Sequence, residues 1–169
     1  MKEGLKYDPT NADVYYQLGM SYLEQSRRDP AAPLYVNQGR QAFQQAVAYD
    51  TQHPDAYYQL ALSYEFPSRD YNRAMSIFYK QLSVNPRHRD ALAHLGNCSF
   101  LTKQYRVGVD LLEQLLDTHG DALPTYSKTL LAQLKASLLQ EEREYDKAAE
   151  MYDEFIEGLD PAERIYYSD

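Results

Sequence analysis

The chain has 169 residues, with 17 lysines and arginines against 25 aspartates and glutamates, a net charge of −8. That length suits one domain or a short solenoid, and the acidic balance is the reverse of that expected for a nucleic-acid backbone binder. No apolar run approaches the roughly 20 residues of a membrane-spanning helix, and a single cysteine, Cys98, leaves no internal disulfide and no cysteine metal cluster.

The first residues, MKEGLKYDP, show no apolar signal core; the compartment stays open, with a cytoplasmic setting favoured. From Asn11 on, the chain alternates amphipathic stretches with proline- or glycine-marked breaks. A first helix is expected from Ala12 to about Gln25, burying Tyr15, Leu18, Gly19 and Tyr22. RRDPAAPL follows (27–34), where two prolines forbid a continuous helix. A second helix is expected from about Tyr35 to Tyr49, burying Gly39, Phe43 and Ala46. Residues 55–86 show the pattern most clearly. Tyr57, Leu60, Ala61 and Tyr64 stand at i, i+3, i+4 and i+7. Phe66-Pro67 stops that helix, and Tyr71, Ala74, Phe78 and Leu82 resume the period until Asn85-Pro86.

In 87–120, Leu92, Leu95, Gly96 and Ser99 lead to a second helix carrying Gly108, Leu112 and Leu115, with Gly120 as its stop. The last segment diverges. Pro124 fits a helix start, and Leu131, Leu134 and Leu138 form a stripe reaching about Arg143. Glu144-Tyr145-Asp146 is expected to turn the chain, and Lys147 to about Gly158 to form a final helix. Residues 121–169 carry twelve acids and five bases, so the acidity belongs to this end.

Leu18-Gly19…Tyr22, Leu60-Ala61…Tyr64 and Leu95-Gly96…Ser99 occupy one set of slots. Gly39…Phe43…Ala46, Ala74…Phe78…Gln81, Gly108…Leu112…Leu115 and Ala148…Tyr152…Phe155 occupy another. Small residues allow two helices to cross closely, and large ones fill the space beside the crossing. A hairpin of roughly 34 residues with these slots resembles the tetratricopeptide repeat. The resemblance covers nearly the whole chain and implies an all-α, right-handed α-solenoid of about four helix-turn-helix repeats. The expected divisions are 1–10, the tail of a preceding repeat or an N-terminal cap; 11–54, repeat 1 with an insertion at 27–34; 55–86, repeat 2; 87–120, repeat 3; 121–160, a divergent repeat 4; and 161–169, a cap or the start of a further repeat. Leu5, Tyr7, Asp8 and Pro9 match the end of a second helix, so the chain looks cut from a longer array; a short capping turn at a natural start is the alternative.

No set of residues could serve together as nucleophile, base and orienter. His53, His88, His94 and His119 are scattered, without metal-ligand spacing. The expectation is a non-enzyme without metal or cofactor. Asp13, Asp55 and Asp90 hold one slot just inside three first helices. They either complement the helix dipole or form a row of acids that prefers a basic partner.

The resemblance further implies that first-helix positions outside the hairpin core line a concave groove. In repeat 1 these are Tyr16, Gln17, Met20 and Glu24; in repeat 2, Tyr58, Gln59, Leu62 and Phe66; in repeat 3, Ala93, His94, Asn97, Phe100 and Leu101. Ser127, Lys128 and Leu131 are the repeat-4 counterparts in an open register. A subclass of the family grips a chaperone C-terminal carboxylate with lysine, arginine and asparagine. Here those positions hold Tyr16, Met20, Gln59, Asp90 and His94, so that clamp is absent. The expected function is an interaction scaffold holding a protein or peptide segment in the groove, with no nucleic acid and no membrane insertion. The alternatives are an assembly module stacking through its repeat ends, as a homo-oligomer or within a longer protein, and the regulatory arm of a larger enzyme.

Overall fold

A computed structural model describes residues 8–28, 32–66, 68–123 and 126–158. The expectations for 1–7, for 29–31, for Pro67, for Pro124 and for 161–169 lie outside the described residues. Among those described, eight α-helices form and no strand. They are α1 (Ala12–Ser26), α2 (Ala32–Tyr49), α3 (Ala56–Glu65), α4 (Tyr71–Val84), α5 (Arg89–Thr102), α6 (Tyr105–His119), α7 (Tyr126–Glu141) and α8 (Tyr145–Glu157), with a short 3-10 turn at Gly120–Ala122. The contacts divide the chain into two compact units, Met1–Leu95 and Gly96–Asp169.

In the first unit, α1 and α2 form one hairpin, α3 and α4 another, and α2 packs on α3. Side chains are absent where α1 and α2 cross. A Cβ on Gly19 would lie 2.5 Å from the Phe43 ring, and one on Gly39 would lie 3.3 Å from the Gly19 carbonyl. Phe43, Ala46, Ala61, Ala74, Phe78 and Leu82 are fully buried. Tyr15 stacks on Tyr49 at 5.4 Å and Tyr22 on Tyr35 at 6.4 Å, bracing the first hairpin at both ends. Part of the 27–34 insertion lengthens α2, which begins at Ala32 and runs for 18 residues. Pro33 is tolerated there because the first turn of a helix has no intrahelical use for its N–H.

In the second unit, α6 packs on α7 and α7 on α8. Gly108 lies against Ser99 and Leu134. Gly96 marks a crossing, but not the expected one inside its own hairpin. A side chain there would meet Leu130 of α7 in the following repeat. The stripe of α7 is also displaced. Ser127, Leu130, Leu134 and Ala136 are its deepest residues, whereas Leu131 and Leu138 are half-buried. Helix α8 starts at Tyr145 rather than Lys147, so the turn is 142–144.

Three of the tight turns share one device. Arg69, Lys103 and Arg143 adopt left-handed backbone, with φ of 53°, 55° and 63°. In each, the next amide reaches back to a carbonyl near the helix end: Asp70 to Tyr64, Gln104 to Ser99 and Glu144 to Leu139. Glycine usually serves here. A basic residue accepts the conformational cost while placing its charge by the negative helix C-terminus.

Candidate functional site

The candidate face is built on how α3 begins. A helix start leaves backbone N–H groups without partners. Asp55, at the N-cap, makes no side-chain capping bond. Instead the amides of Asp55 and Ala56 donate to Nδ1 of His53, at 3.3 and 3.2 Å. The Tyr58 amide donates to Oε1 of Gln81, a fully buried side chain of α4, at 2.8 Å. With Nδ1 of His53 accepting, the ring carries its proton on Nε2, which lies 3.2 Å from Asp13 Oδ1 on α1. The arrangement recurs one repeat on. The Ala91 amide donates to His88 Nδ1 at 3.2 Å, and His88 Nε2 lies 3.9 Å from Asp55 Oδ1. Asp13 and Asp55 thus lie near the outer nitrogen of the histidine that caps the next first helix, without a hydrogen bond to it.

Tyr16 and Tyr58 complete the two junctions. Tyr16 packs against Phe43 at 5.9 Å and His53 at 4.7 Å. Tyr58 packs against Phe78 at 6.0 Å and His88 at 4.4 Å. These rings therefore do not stand clear of the hairpin cores, as their sequence slots suggest; each lies over the buried phenylalanine of its own second helix. Burial raises both hydroxyl pKa values above the ordinary tyrosine value, helped by Asp55 for Tyr16 and by Asp90 and Glu65 for Tyr58. Tyr57 is half-buried like Tyr58, and its pKa is raised by burial and by Asp50.

Beside Tyr58 lies a group that sequence reasoning passed over. Glu65 is 0% exposed, and its Oε2 lies 2.7 Å from His94 Nδ1. Among the described residues, neither carboxylate oxygen and not His94 Nδ1 has a hydrogen-bond partner. The His94 ring stacks on Phe78 at 5.2 Å and 17°, with Tyr58 and Phe66 edge-on at 6.0 and 6.5 Å. Its side chain keeps 27% of its surface exposed. The missed signal is positional. Glu65 holds the slot of Leu23 and Phe100, so an acid replaces a large apolar residue.

On the other side of Phe66 is a cavity of about 460 Å³, mainly apolar, lined by Leu23, Val36, Gln59, Leu62 and Phe66 with Ser26, Arg27, Pro33 and Ser63. Phe66 is 58% exposed. The structure thus brings Gln59, Leu62, Phe66 and His94 together, with Tyr58 behind them. Met20 is half-buried, and Gln17 and Glu24 are exposed. Asn97, Phe100 and Leu101 belong to the second unit, where Phe100 meets Tyr105 edge-on at 5.9 Å and Asn97 and Leu101 are exposed. Ser127 is buried, against the expectation of a groove position. Among the described residues no group of three or more histidines, cysteines or acids could hold a metal ion, and no helix is long and apolar enough to cross a membrane.

Comparisons with known proteins agree with the fold. Tetratricopeptide repeat family models match residues 1–40 and 54–88. No curated protein matches the chain by sequence. Among solved structures, the chain is similar to MamA, at 18% identity over 92% of this chain and 82% of MamA, with a TM-score of 0.56. It is similar to YrrB, described as a TPR protein with an unusual peptide-binding site, at 16% identity over 90% of this chain and 71% of YrrB, TM-score 0.55. It is also similar to the first TPR of Spaghetti (RPAP3) bound to the HSP90 peptide SRMEEVD, at 16% identity over 78% of this chain and 95% of that one, TM-score 0.51. At these identities the likeness concerns the fold.

Proposed function

Since the chain is a tetratricopeptide repeat protein, we propose that it is a non-enzymatic interaction scaffold that holds an extended segment of a protein partner on the first-helix face of its first unit. The observation that carries this reading is the 460 Å³ cavity, because three of its lining residues, Gln59, Leu62 and Phe66, are the inner positions of α3. Its lining is apolar enough to take a bulky side chain, and the Gln59 amide at its wall suits a peptide backbone. That YrrB is described as having a peptide-binding site and that the RPAP3 repeat is bound to a peptide support a peptide as the occupant.

Phe66→Ala tests it. Truncating an interface anchor typically costs about 2 kcal/mol or more, so capture of peptides from a synthetic array should weaken by roughly thirtyfold. The helical signal should stay, because Phe66 is mostly exposed. Unchanged capture sinks the reading.

A second reading has its own observation. A cleft of about 390 Å³ on the other side of the first hairpin is lined by Tyr15, Leu18, Tyr22, Gln38 and Ala42, among others. Gln38 Oε1 is buried there without a partner. Such a face suits stacking against another repeat, in a second copy or in a longer array. Sedimentation at several concentrations separates this from peptide capture.

A further inference from the structure

We propose that the cleft beside the first hairpin is the seat of the chain's own residues 1–7, docked there as the end of a second helix, with Lys2 at Tyr22 and Leu5 one turn nearer Tyr15. This deepens the stacking reading of that cleft and rests on it: the stacking element belongs to the chain itself.

Helices α1, α3 and α5 begin alike. The amides of Asn11, His53 and His88 donate to the carbonyls of Asp8, Asp50 and Asn85, at 3.3, 3.3 and 3.1 Å. The amide three residues further on donates to the side chain that ends each turn. Val14 meets Asn11 Oδ1 at 3.0 Å, and Ala56 and Ala91 meet Nδ1 of His53 and His88 at 3.2 Å. The carboxylates of Asp8 and Asp50 also accept from the amide two residues on, at 3.0 and 2.9 Å. The turns at 50–53 and 85–88 lead out of second helices, α2 and α4. The turn at 8–11 repeats their bonds, so it is of the kind that follows a second helix. The family match likewise begins at residue 1, well ahead of α1.

The second hairpin shows what such a helix covers. Arg40 of α2 donates to Ser63 Oγ at 3.2 Å and lies 4.4 Å over the Tyr64 ring, and Gln44 donates to the Tyr64 hydroxyl at 2.9 Å. Asp50, just past α2, is near enough to Tyr57 to raise its pKa, after burial. Residues 44–50 therefore run antiparallel to α3, from Tyr64 to Tyr57, and Leu60 and Tyr64 are buried. The matching residues of α1, Leu18 and Tyr22, are only half-buried and line the open cleft with Tyr15. Residues 2–8 equal 44–50 in length, and the shared turn gives them the same direction. Lys2 then holds the place of Gln44 and Leu5 that of Val47, on one helix face at i and i+3. Gln38 is a second, independent sign. Its slot on the second hairpin belongs to Arg73, whose guanidinium lies 5.0 Å over the Tyr64 ring. Gln38 Oε1 is buried and has no partner among the described residues. A buried acceptor left unmet is costly, and the Lys2 ammonium brings three donors to that end of the cleft.

The test uses the full chain carrying Glu3→Cys, a position that matches the exposed Gln45. Cys98 is 0% exposed, so a nitroxide reagent labels position 3 alone. In nitrogen-15 spectra the nitroxide should broaden the amides of Leu18, Tyr22 and Gln38 within its own molecule. A mixture of nitroxide-bearing chains without nitrogen-15 and nitrogen-15 chains without nitroxide reads broadening between molecules. Broadening of these amides in the mixture alone overturns the proposal and leaves the stacking reading standing, with a second copy as the occupant. No broadening in either sample overturns the proposal, and a monomer at every sedimentation concentration then removes the stacking reading too. A second measurement needs no label. Leu5→Asp should lower the melting midpoint by roughly 2–4 °C more than Lys6→Asp, because Lys6 matches the exposed Ala48. Equal midpoints for the two variants also overturn the proposal.

Discussion

At the first junction Tyr16 lies 5.9 Å from Phe43 and 4.7 Å from His53, and at the second Tyr58 lies 6.0 Å from Phe78 and 4.4 Å from His88. The capping histidine meets an aspartate of the preceding first helix in both. What recurs is packing, since each joint needs it whatever the protein binds. The difference lies one turn further on. Leu23 and Gln59 line an open cavity at the first junction. Their slot equivalents at the second, Glu65 and His94, lie 2.7 Å apart, with the imidazole stacked on Phe78. Where two equivalent joints diverge from an apolar space to a buried carboxylate, the packing of the joint does not dictate the residue.

The strongest way to break this comparison is to remove the shared part. Phe43 and Phe78 are both 0% exposed, so Phe43→Ala and Phe78→Ala should each cost about 3–5 kcal/mol, read from urea midpoints. A small loss at one site alone would show that the joints are not equivalent. The next test converts one junction into the other. Glu65→Leu with His94→Gln gives the second joint the residues of the first. Replacing a buried polar pair with apolar packing is often neutral or stabilising, so the midpoint should hold or rise by about 1 kcal/mol. A marked fall in stability would show that the pair supports the fold.

The smallest effect is electrostatic. Burial raises the pKa of both Tyr16 and Tyr58, with carboxylates adding to it. A raised folded-state pKa favours the neutral phenol, so this contribution is fully present below the unfolded value near 10. It is lost as pH climbs through the folded pKa, and stability should decline in the alkaline range. Asp90→Asn should lower the Tyr58 titration midpoint and leave that of Tyr16 in place. Absorbance titration of the phenolates reads both. A shift shared by the two would mean that the carboxylates act through the whole unit rather than locally.

The repeat slots were legible because they recur. Gly19, Ala61, Gly39 and Ala74 sit where a close crossing demands them, and the family resemblance followed from that spacing. Depth was less legible. Six of the ten residues of α3 are buried, because it has α2 on one side and α4 on another. A helix buried on several sides has no single apolar stripe, so periodicity could not show that Glu65 is inside. The partner of Gly96 was misplaced for a related reason. Spacing marks a close approach without saying which helix approaches, and here it is α7. The histidines were visible at the junctions, and His53 and His88 each stand ten residues after a core phenylalanine. Their role depends on ring orientation, which a one-dimensional pattern does not carry. On α7, Leu134 is buried as expected but Leu130 is deeper than Leu131, because two adjacent leucines leave the phase of the stripe open.

The His53 cap has a consequence for how the chain comes off the ribosome. The ring that starts α3 rests on Asp13 and Tyr16, residues of a helix made earlier, and the ring that starts α5 rests on Asp55 and Tyr58. Each landing place is synthesised before the ring that settles on it, so order can pass along the first unit in the direction of translation, one joint at a time.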